Sequence, residues 1–247
     1  MASARILIVD DEADTCANLS DIFTDFGYQV DTAHDGPSAL QLVEQQPFFD
    51  VVLLDLRMPG MDGLELYRRI KQKSAGTVAL VVTAYATSET AKSAIAAGAR
   101  RVLSKPVNIG ELLNLVEVSL QSPLVLIVDD ETELCENLWE ILHERGYRAH
   151  LAHDVREANQ SLASCQFQVV LIDMKLPDGE GGQVLQQVRL TNPQARTIVI
   201  TGYRSELDSR VQEALKEGAA GVAYKPFDVG VLLKILDQCA DAAREGQ

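Results

Sequence analysis

Two aspartates stand where an aspartate can do chemistry. Asp55 closes the apolar run Val51-Val-Leu-Leu54 and is followed by Leu56-Arg-Met-Pro-Gly60. Asp173 closes Val169-Val-Leu-Ile172 and is followed by Met174-Lys-Leu-Pro-Asp178. A short apolar run bounded by turn residues reads as a strand buried on both faces. The carboxyl ends of such strands are where open α/β sheets build their sites. Other runs end the same way. Arg5-Ile-Leu-Ile-Val9 leads to Asp10-Asp11-Glu12, Thr77–Val82 to Thr83, and Arg101–Ser104 to Lys105; the second half repeats this with Asp129-Asp130-Glu131, Thr201 and Lys225. Three carboxylates in one small pocket repel each other, so a divalent cation, a raised pKa, or both must offset them. Mg²⁺ fits, being hard and held by one or two carboxylates plus waters and a phosphate. A lysine adds a second positive charge and a threonine hydroxyl a further hydrogen bond. In-line phosphoryl transfer needs such a set, because its catalysis is mostly positioning and charge stabilisation. The aspartate is the nucleophile in this reading.

The elements that must position these groups follow from the pattern. Asp11 or Asp14 is expected to cap a helix through about Phe26, with Leu19, Ile22, Phe23 and Phe26 on its core face. Gly27 stops it. Tyr28–Ala33 is a second strand, and Asp35-Gly36-Pro37 opens a second helix. Asp62 caps a third helix on Leu64, Leu66, Tyr67 and Ile70; Ser88 to Ala97 is a fourth, closed by Gly98; Asn108 caps a fifth. Five strands alternating with five helices predict a doubly wound parallel sheet.

The pattern then recurs at offsets of 118 to 120 residues. Gly146-Tyr147 repeats Gly27-Tyr28, Ala152-His153-Asp154 repeats Ala33-His34-Asp35, and Lys225-Pro226 repeats Lys105-Pro106. So long a period means duplicated domains, here residues 1–121 and 122–247, joined at Gln121-Ser122-Pro123. The net charge of −14 argues against an electrostatic hold on nucleic acid or anionic lipid. No apolar run reaches the roughly 18 residues of a membrane span. Cys16, Cys135, Cys165 and Cys239 show no metal or redox spacing and read as buried free thiols in a reducing compartment, so a cytoplasmic protein is expected.

These residues resemble one family, the receiver domains of two-component response regulators. The resemblance spans nearly the whole chain as two copies. It includes Val9-Asp10-Asp11-Glu12, Asp55 with Met58-Pro59, Thr83-Ala84, and Gly98-Ala99 through Lys105-Pro106; the second copy has Val128-Asp129-Asp130-Glu131, Asp173 with Leu176-Pro177, Thr201-Gly202, and Gly218-Ala219 through Lys225-Pro226. The resemblance implies two flavodoxin-like domains of strand order 2-1-3-4-5. It implies Asp55 and Asp173 as phosphoacceptors, with Asp11 and Asp130 on Mg²⁺ directly and Asp10 and Asp129 helping through water. The main-chain carbonyls of Arg57 and Lys175 complete the metal shell. Lys105 and Lys225 contact the acyl phosphate, and Thr83 and Thr201 follow its oxygen. The donor is a phosphohistidine on a histidine kinase or phosphotransfer protein, and the chain catalyses only its own phosphorylation and dephosphorylation.

Two departures stand out. The family usually carries Tyr or Phe three residues before the lysine, an aromatic that relays phosphorylation; here Val102 and Val222 stand there. Tyr85 and Tyr203 follow the threonines by two, and Arg57 and Lys175 follow the acceptors by two, so a bulky ring with a basic neighbour is expected to shield the phosphoaspartate. His34 and His153 read as loop or surface histidines, and Cys16 and Cys135 as core packing. The leading expectation is a tandem receiver that signals through a downstream protein, as a dimer or with its two receivers paired internally. The alternatives are the receiver portion of a hybrid histidine kinase, a phosphate sink, or a phosphohydrolase; the last lacks the Asp-x-Asp such enzymes use. With no helix-turn-helix or basic face in the 247 residues, direct DNA binding is not expected.

Overall fold

The structure is a computed structural model and describes residues 3–46, 48–202, 209–216 and 218–245. The chain divides into two compact units, Met1–Ser122 and Pro123–Gln247. The first runs β1 (Arg5–Val9), α1 (Ala13–Asp25), β2 (Gln29–Ala33), α2 (Gly36–Gln45), β3 (Val51–Leu54), α3 (Gly63–Lys73), β4 (Val78–Thr83), α4 (Ser88–Ala96), β5 (Arg101–Ser104) and α5 (Ile109–Gln121). The second runs β6 (Leu124–Val128), α6 (Thr132–Glu144), β7 (Arg148–Ala152), α7 (Val155–Ser164), β8 (Val169–Asp173), β9 (Lys175–Leu176), β10 (Gly179–Glu180), α8 (Gly181–Thr191), β11 (Arg196–Thr201), α9 (Ser209–Lys216), β12 (Gly221–Tyr224) and α10 (Val229–Glu245).

Each unit holds a five-stranded parallel sheet, ordered β2-β1-β3-β4-β5 in the first and β7-β6-β8-β11-β12 in the second. These are the doubly wound 2-1-3-4-5 sheets expected. The strand order reverses beside β1 and β6, the switch point where such sheets bind ligands. Alternation along the strands builds the core of the first unit. Leu7, Val9, Val52, Leu54, Ala79 and Val81 face α2, α3 and α4 through Ala39, Leu66, Tyr67, Ile70 and Ala94. Ile6, Ile8, Val51, Leu53, Leu80 and Val82 face α1 and α5 through Cys16, Leu19, Phe23, Leu112 and Val116. Each fully buried Val, Leu, Ile or Phe contributes about 1.5–3 kcal/mol. Removing one, for example Phe23, costs about 3–5 kcal/mol as a truncation to Ala.

The start of α1 differs from expectation. Neither Asp11 nor Asp14 caps it; Glu12 is the N-cap and makes no side-chain capping bond. Starting at Ala13 puts Cys16, Leu19 and Phe23 on the buried stripe. Phe26 follows the last helical residue and is 65% exposed, because Gly27 at φ +87° turns the chain away. The other caps agree with their residue chemistry: Asp35 accepts from Ser38 N–H, Asp62 from Leu64 N–H, and Asn108 from Glu111 N–H. All four cysteines are buried free thiols. Among the described residues no helix is long and apolar enough to cross a membrane.

Candidate functional site

In both units the charged residues at the strand ends converge. Asp55 continues β3: its N–H donates to Val9 O at 2.9 Å, holding it beside the end of β1. Lys105 continues β5, its N–H donating to Thr83 O at 2.9 Å. Its ammonium then reaches across the sheet end to Asp55 Oδ2 at 2.8 Å and Asp10 Oδ2 at 2.7 Å, with exposed Glu12 at 3.5 Å. The second unit repeats this. Lys225 Nζ lies 2.7 Å from both Asp129 Oδ2 and Asp173 Oδ2, and 3.7 Å from Glu131.

The other carboxylate oxygens are held by the backbone. Arg57 N–H donates to Asp55 Oδ1 at 3.1 Å and Lys175 N–H to Asp173 Oδ1 at 3.0 Å. Glu12 N–H donates to Asp10 Oδ1 and Glu131 N–H to Asp129 Oδ1, both at 3.1 Å. Burial pushes the pKa of Asp10 and Asp129 above the ordinary aspartate value, against the lowering effect of the lysine. Burial works against the Lys105 and Lys225 ammonium groups, but the close contacts and charges of their two aspartates outweigh it. Lys105 is held above the usual lysine range and Lys225 is pushed up to about 12.

Asp10, Asp11 and Asp55 bring carboxylate oxygens within 4.8 Å of one another, as do Asp129, Asp130 and Asp173; the first and last of each set are buried and the middle one exposed. Three carboxylates against one ammonium leave two negative charges, which suits a divalent ion. Asp129 Oδ2 is buried and meets Lys225 as an ion pair outside hydrogen-bond geometry, so its lone pairs lack a well-aligned donor. Hard oxygen donors with spare acceptor capacity fit Mg²⁺.

Thr83 and Thr201 are buried at the ends of β4 and β11. The Thr83 hydroxyl accepts from Tyr85 N–H at 3.3 Å rather than contacting Asp55 or Lys105. The Arg57 guanidinium stacks over the Tyr85 ring at 4.1 Å from its centroid, and the ring is 48% exposed. The basic-aromatic pair expected at the rim therefore exists in the first unit. Tyr203, its expected counterpart, lies outside the described residues. Val102 and Val222 are half-buried in β5 and β12. Both Lys–Pro bonds, Lys105–Pro106 and Lys225–Pro226, are cis.

One pair of residues at the site escaped the reading of charged groups. A Cβ on Gly63 would overlap the main-chain O of Asp55, and one on Gly181 that of Asp173. Gly63 N–H donates to Leu56 O at 2.9 Å and Gly181 N–H to Met174 O at 3.2 Å. The helix after each strand-end aspartate thus starts in contact with that aspartate's own backbone. The available signal was a glycine eight residues after each aspartate.

Residues 6–117 and 125–237 each match the family model described as the response regulator receiver domain. A response regulator receiver protein of Anaeromyxobacter sp. (strain Fw109-5) is 33% identical over 234 residues, which is 95% of this chain and 94% of that protein. The transcriptional regulatory protein ZraR of Escherichia coli (strain K12) is 38% identical over 115 residues, 47% of this chain but 26% of that protein. Among solved structures, a CheY-like receiver domain protein from Methanospirillum hungatei JF-1 is 33% identical, covers 48% of this chain and 94% of its own, and has a TM-score of 0.47.

Proposed function

We propose, for a chain that belongs to the response regulator receiver domain family and carries that domain twice, that Asp55 and Asp173 are each phosphorylated from a phosphohistidine. The donor is a histidine kinase or phosphotransfer protein, and the phosphorylated chain signals by binding a further protein. What supports this reading most is one construction found in both halves. A single lysine bridges the strand-end aspartate to the first, buried acid of the pair at 2.7–2.8 Å.

Mg²⁺ would be held by Asp11 and Asp55 with the main-chain carbonyl of Arg57, and by Asp130 and Asp173 with that of Lys175; Asp10 and Asp129 support it. When bound, it supplies charge stabilisation to the phosphoryl oxygens. The protein's own groups do the rest. Arg57 N–H and Lys105 fix the two oxygens of Asp55, so the nucleophile is oriented before the donor arrives. An Asp55 oxygen bonds to phosphorus as the P–N bond of the donor breaks. The electron pair leaves on the imidazole nitrogen, which takes up a proton. Lys105 exchanges the carboxylate for a phosphoryl oxygen, and Thr83 turns its hydroxyl from Tyr85 N–H toward another. The product carries about −1.5 to −2 charge. No separate substrate is turned over, and the site works in the cytoplasm.

The test is mass gain with a small phosphodonor and Mg²⁺. The wild type should gain up to two phosphoryl groups, Asp55→Asn and Asp173→Asn one each at most, and the double variant none. A wild type that gains none sinks the proposal.

A further inference from the structure

Each site contains a second convergence that the phosphoryl chemistry does not use, on a main-chain oxygen. Asp10 N–H makes the last rung of its ladder, to Ala33 O at 3.1 Å. The chain then leaves the sheet at Asp35, the N-cap of α2, so the backbone offers the Asp10 carbonyl no following rung. Two side chains take its place: His34 Nδ1 lies 3.3 Å from Asp10 O, and Cys16 Sγ lies 3.4 Å from it. The second unit has the same arrangement. Asp129 N–H donates to Ala152 O at 3.0 Å, and Asp129 O receives His153 Nδ1 at 3.1 Å and Cys135 Sγ at 3.2 Å. The sequence alone reads His34 and His153 as loop or surface histidines and Cys16 and Cys135 as core packing.

A carbonyl oxygen only accepts, so each histidine must carry its proton on Nδ1. A thiol is a weak donor, which leaves the imidazole as the stronger of the two bonds. The carbonyl it grips belongs to the peptide plane joining Asp10 to Asp11, or Asp129 to Asp130. Asp11 and Asp130 are the exposed members of their acidic sets. Neither has a hydrogen bond or ion pair among the described residues. The aim of these two carboxylates therefore depends on the peptide plane before them.

We infer that His34 and His153 are positioning residues for the cation, each orienting through a main-chain carbonyl the exposed aspartate that binds it. This rests on the proposed Mg²⁺ reading. Groups one step behind a ligand typically change metal affinity by about 10- to 100-fold when removed. Here the action passes through the backbone, so the low end applies.

The experiment uses the full chain with the second site silenced by Asp130→Asn and Asp173→Asn. Mg²⁺ affinity is measured by calorimetry in this parent and with His34→Ala, His34→Gln or His34→Asn added. The amide nitrogen of Asn occupies the place of Nδ1, whereas that of Gln occupies the place of Nε2. His34→Ala and His34→Gln should weaken Mg²⁺ about 10-fold and His34→Asn should bind like the parent, with phosphorylation at saturating Mg²⁺ alike in all. Nitrogen NMR of the metal-free parent should show His34 protonated on Nδ1. Equal Mg²⁺ affinity in parent, Gln and Asn variants, or Asn as weak as Gln, overturns the inference while leaving the proposed function intact. If His34→Ala fails to fold, the Gln and Asn pair still decides. A parent that binds no Mg²⁺ removes the proposed function and this inference together.

Discussion

The two units hold the same lysine-bridged acidic pocket on differently anchored loops. After Asp55 the first unit runs through Met58-Pro-Gly-Met-Asp62, with Gly60 at φ +86° and Asp62 capping α3. The loop lies against the start of α2, where a Cβ on Gly36 would overlap Met61. After Asp173 the second unit folds a small hairpin, β9 on β10, and Glu180 at the N-cap makes no side-chain capping bond. Asp178, at the position of Gly60, accepts from Val155 N–H at 2.8 Å and Arg156 N–H at 3.3 Å at the start of α7. One unit secures its loop by a side-chain cap and an apolar contact, the other by a hairpin and a carboxylate on a helix N-terminus. What both keep is the lysine bridge and the glycine behind the strand-end aspartate, so the proposed chemistry rests on those while the loop between them differs.

Breaking the shared part should cost most. Gly63→Ala or Gly181→Ala drives a methyl into main-chain atoms that cannot move aside, and should destabilise its own unit by about 3 kcal/mol in urea denaturation. If either variant melts like the wild type, the close approach is not obligatory. The next test separates the units by pH. His150 on β7 is buried edge-on to Phe167, and its pKa is pushed down to about 3, first by burial and then by the Arg148 charge. The matched residue of the first unit is Asp31, paired with Arg5 at 2.7 Å. His150 stays neutral in the fold while the unfolded chain takes a proton below pH 6.5. Its contribution is therefore whole above pH 6.5 and falls by up to about 1.4 kcal/mol per unit as pH drops toward the folded value. Unfolding free energies of wild type and His150→Leu between pH 7 and 5 should diverge in slope; parallel slopes would refute this.

Smaller effects sharpen the loop comparison. Asp178→Ala should cost the second unit about 1 kcal/mol, the value of a carboxylate on helix N–H groups. Gly60→Asp should not gain that amount in the first unit, because its φ of +86° disfavours a side chain; a stabilised Gly60→Asp would show the two loops to be interchangeable. Smallest is the rim. Removing the ring stacked on Arg57 forfeits about 0.5–1 kcal/mol of cation–π attraction. Tyr85→Ala should accordingly shorten the phosphoaspartate lifetime at Asp55 severalfold, and an unchanged lifetime would return Tyr85 to an ordinary surface role.

How much could be read beforehand follows from where the information lies. The parallel sheet and the gathering of Asp10, Asp11, Asp55 and Lys105 were legible because charged residues ending apolar runs share one end of a parallel sheet, whereas the strand order came from the family resemblance alone. Gly63 was not, because its role is steric: it concerns which backbone passes close by, and spacing alone does not show that. The grip of His34 on the Asp10 carbonyl was hidden for a related reason. Side-chain-to-main-chain bonds across 24 residues leave no periodic trace. Asp178 read as a turn residue, and its partners on α7 are set by tertiary contact. The misplaced start of α1 came from counting any early aspartate as a cap, when the stripe of Cys16, Leu19 and Phe23 decides the phase.

The bare glycine behind each strand-end aspartate has a mechanical consequence. With no side chain between them, the end of β3 and the first turn of α3 are in direct backbone contact, so a shift at residue 55 would displace the start of the helix. At 1.5 Å per residue the 11 residues of α3 extend that push about 16 Å, to where Arg69 and Lys73 meet solvent. With valine in place of an aromatic at residue 102, this close contact is the route by which a shift at the buried acid would reach the outer surface.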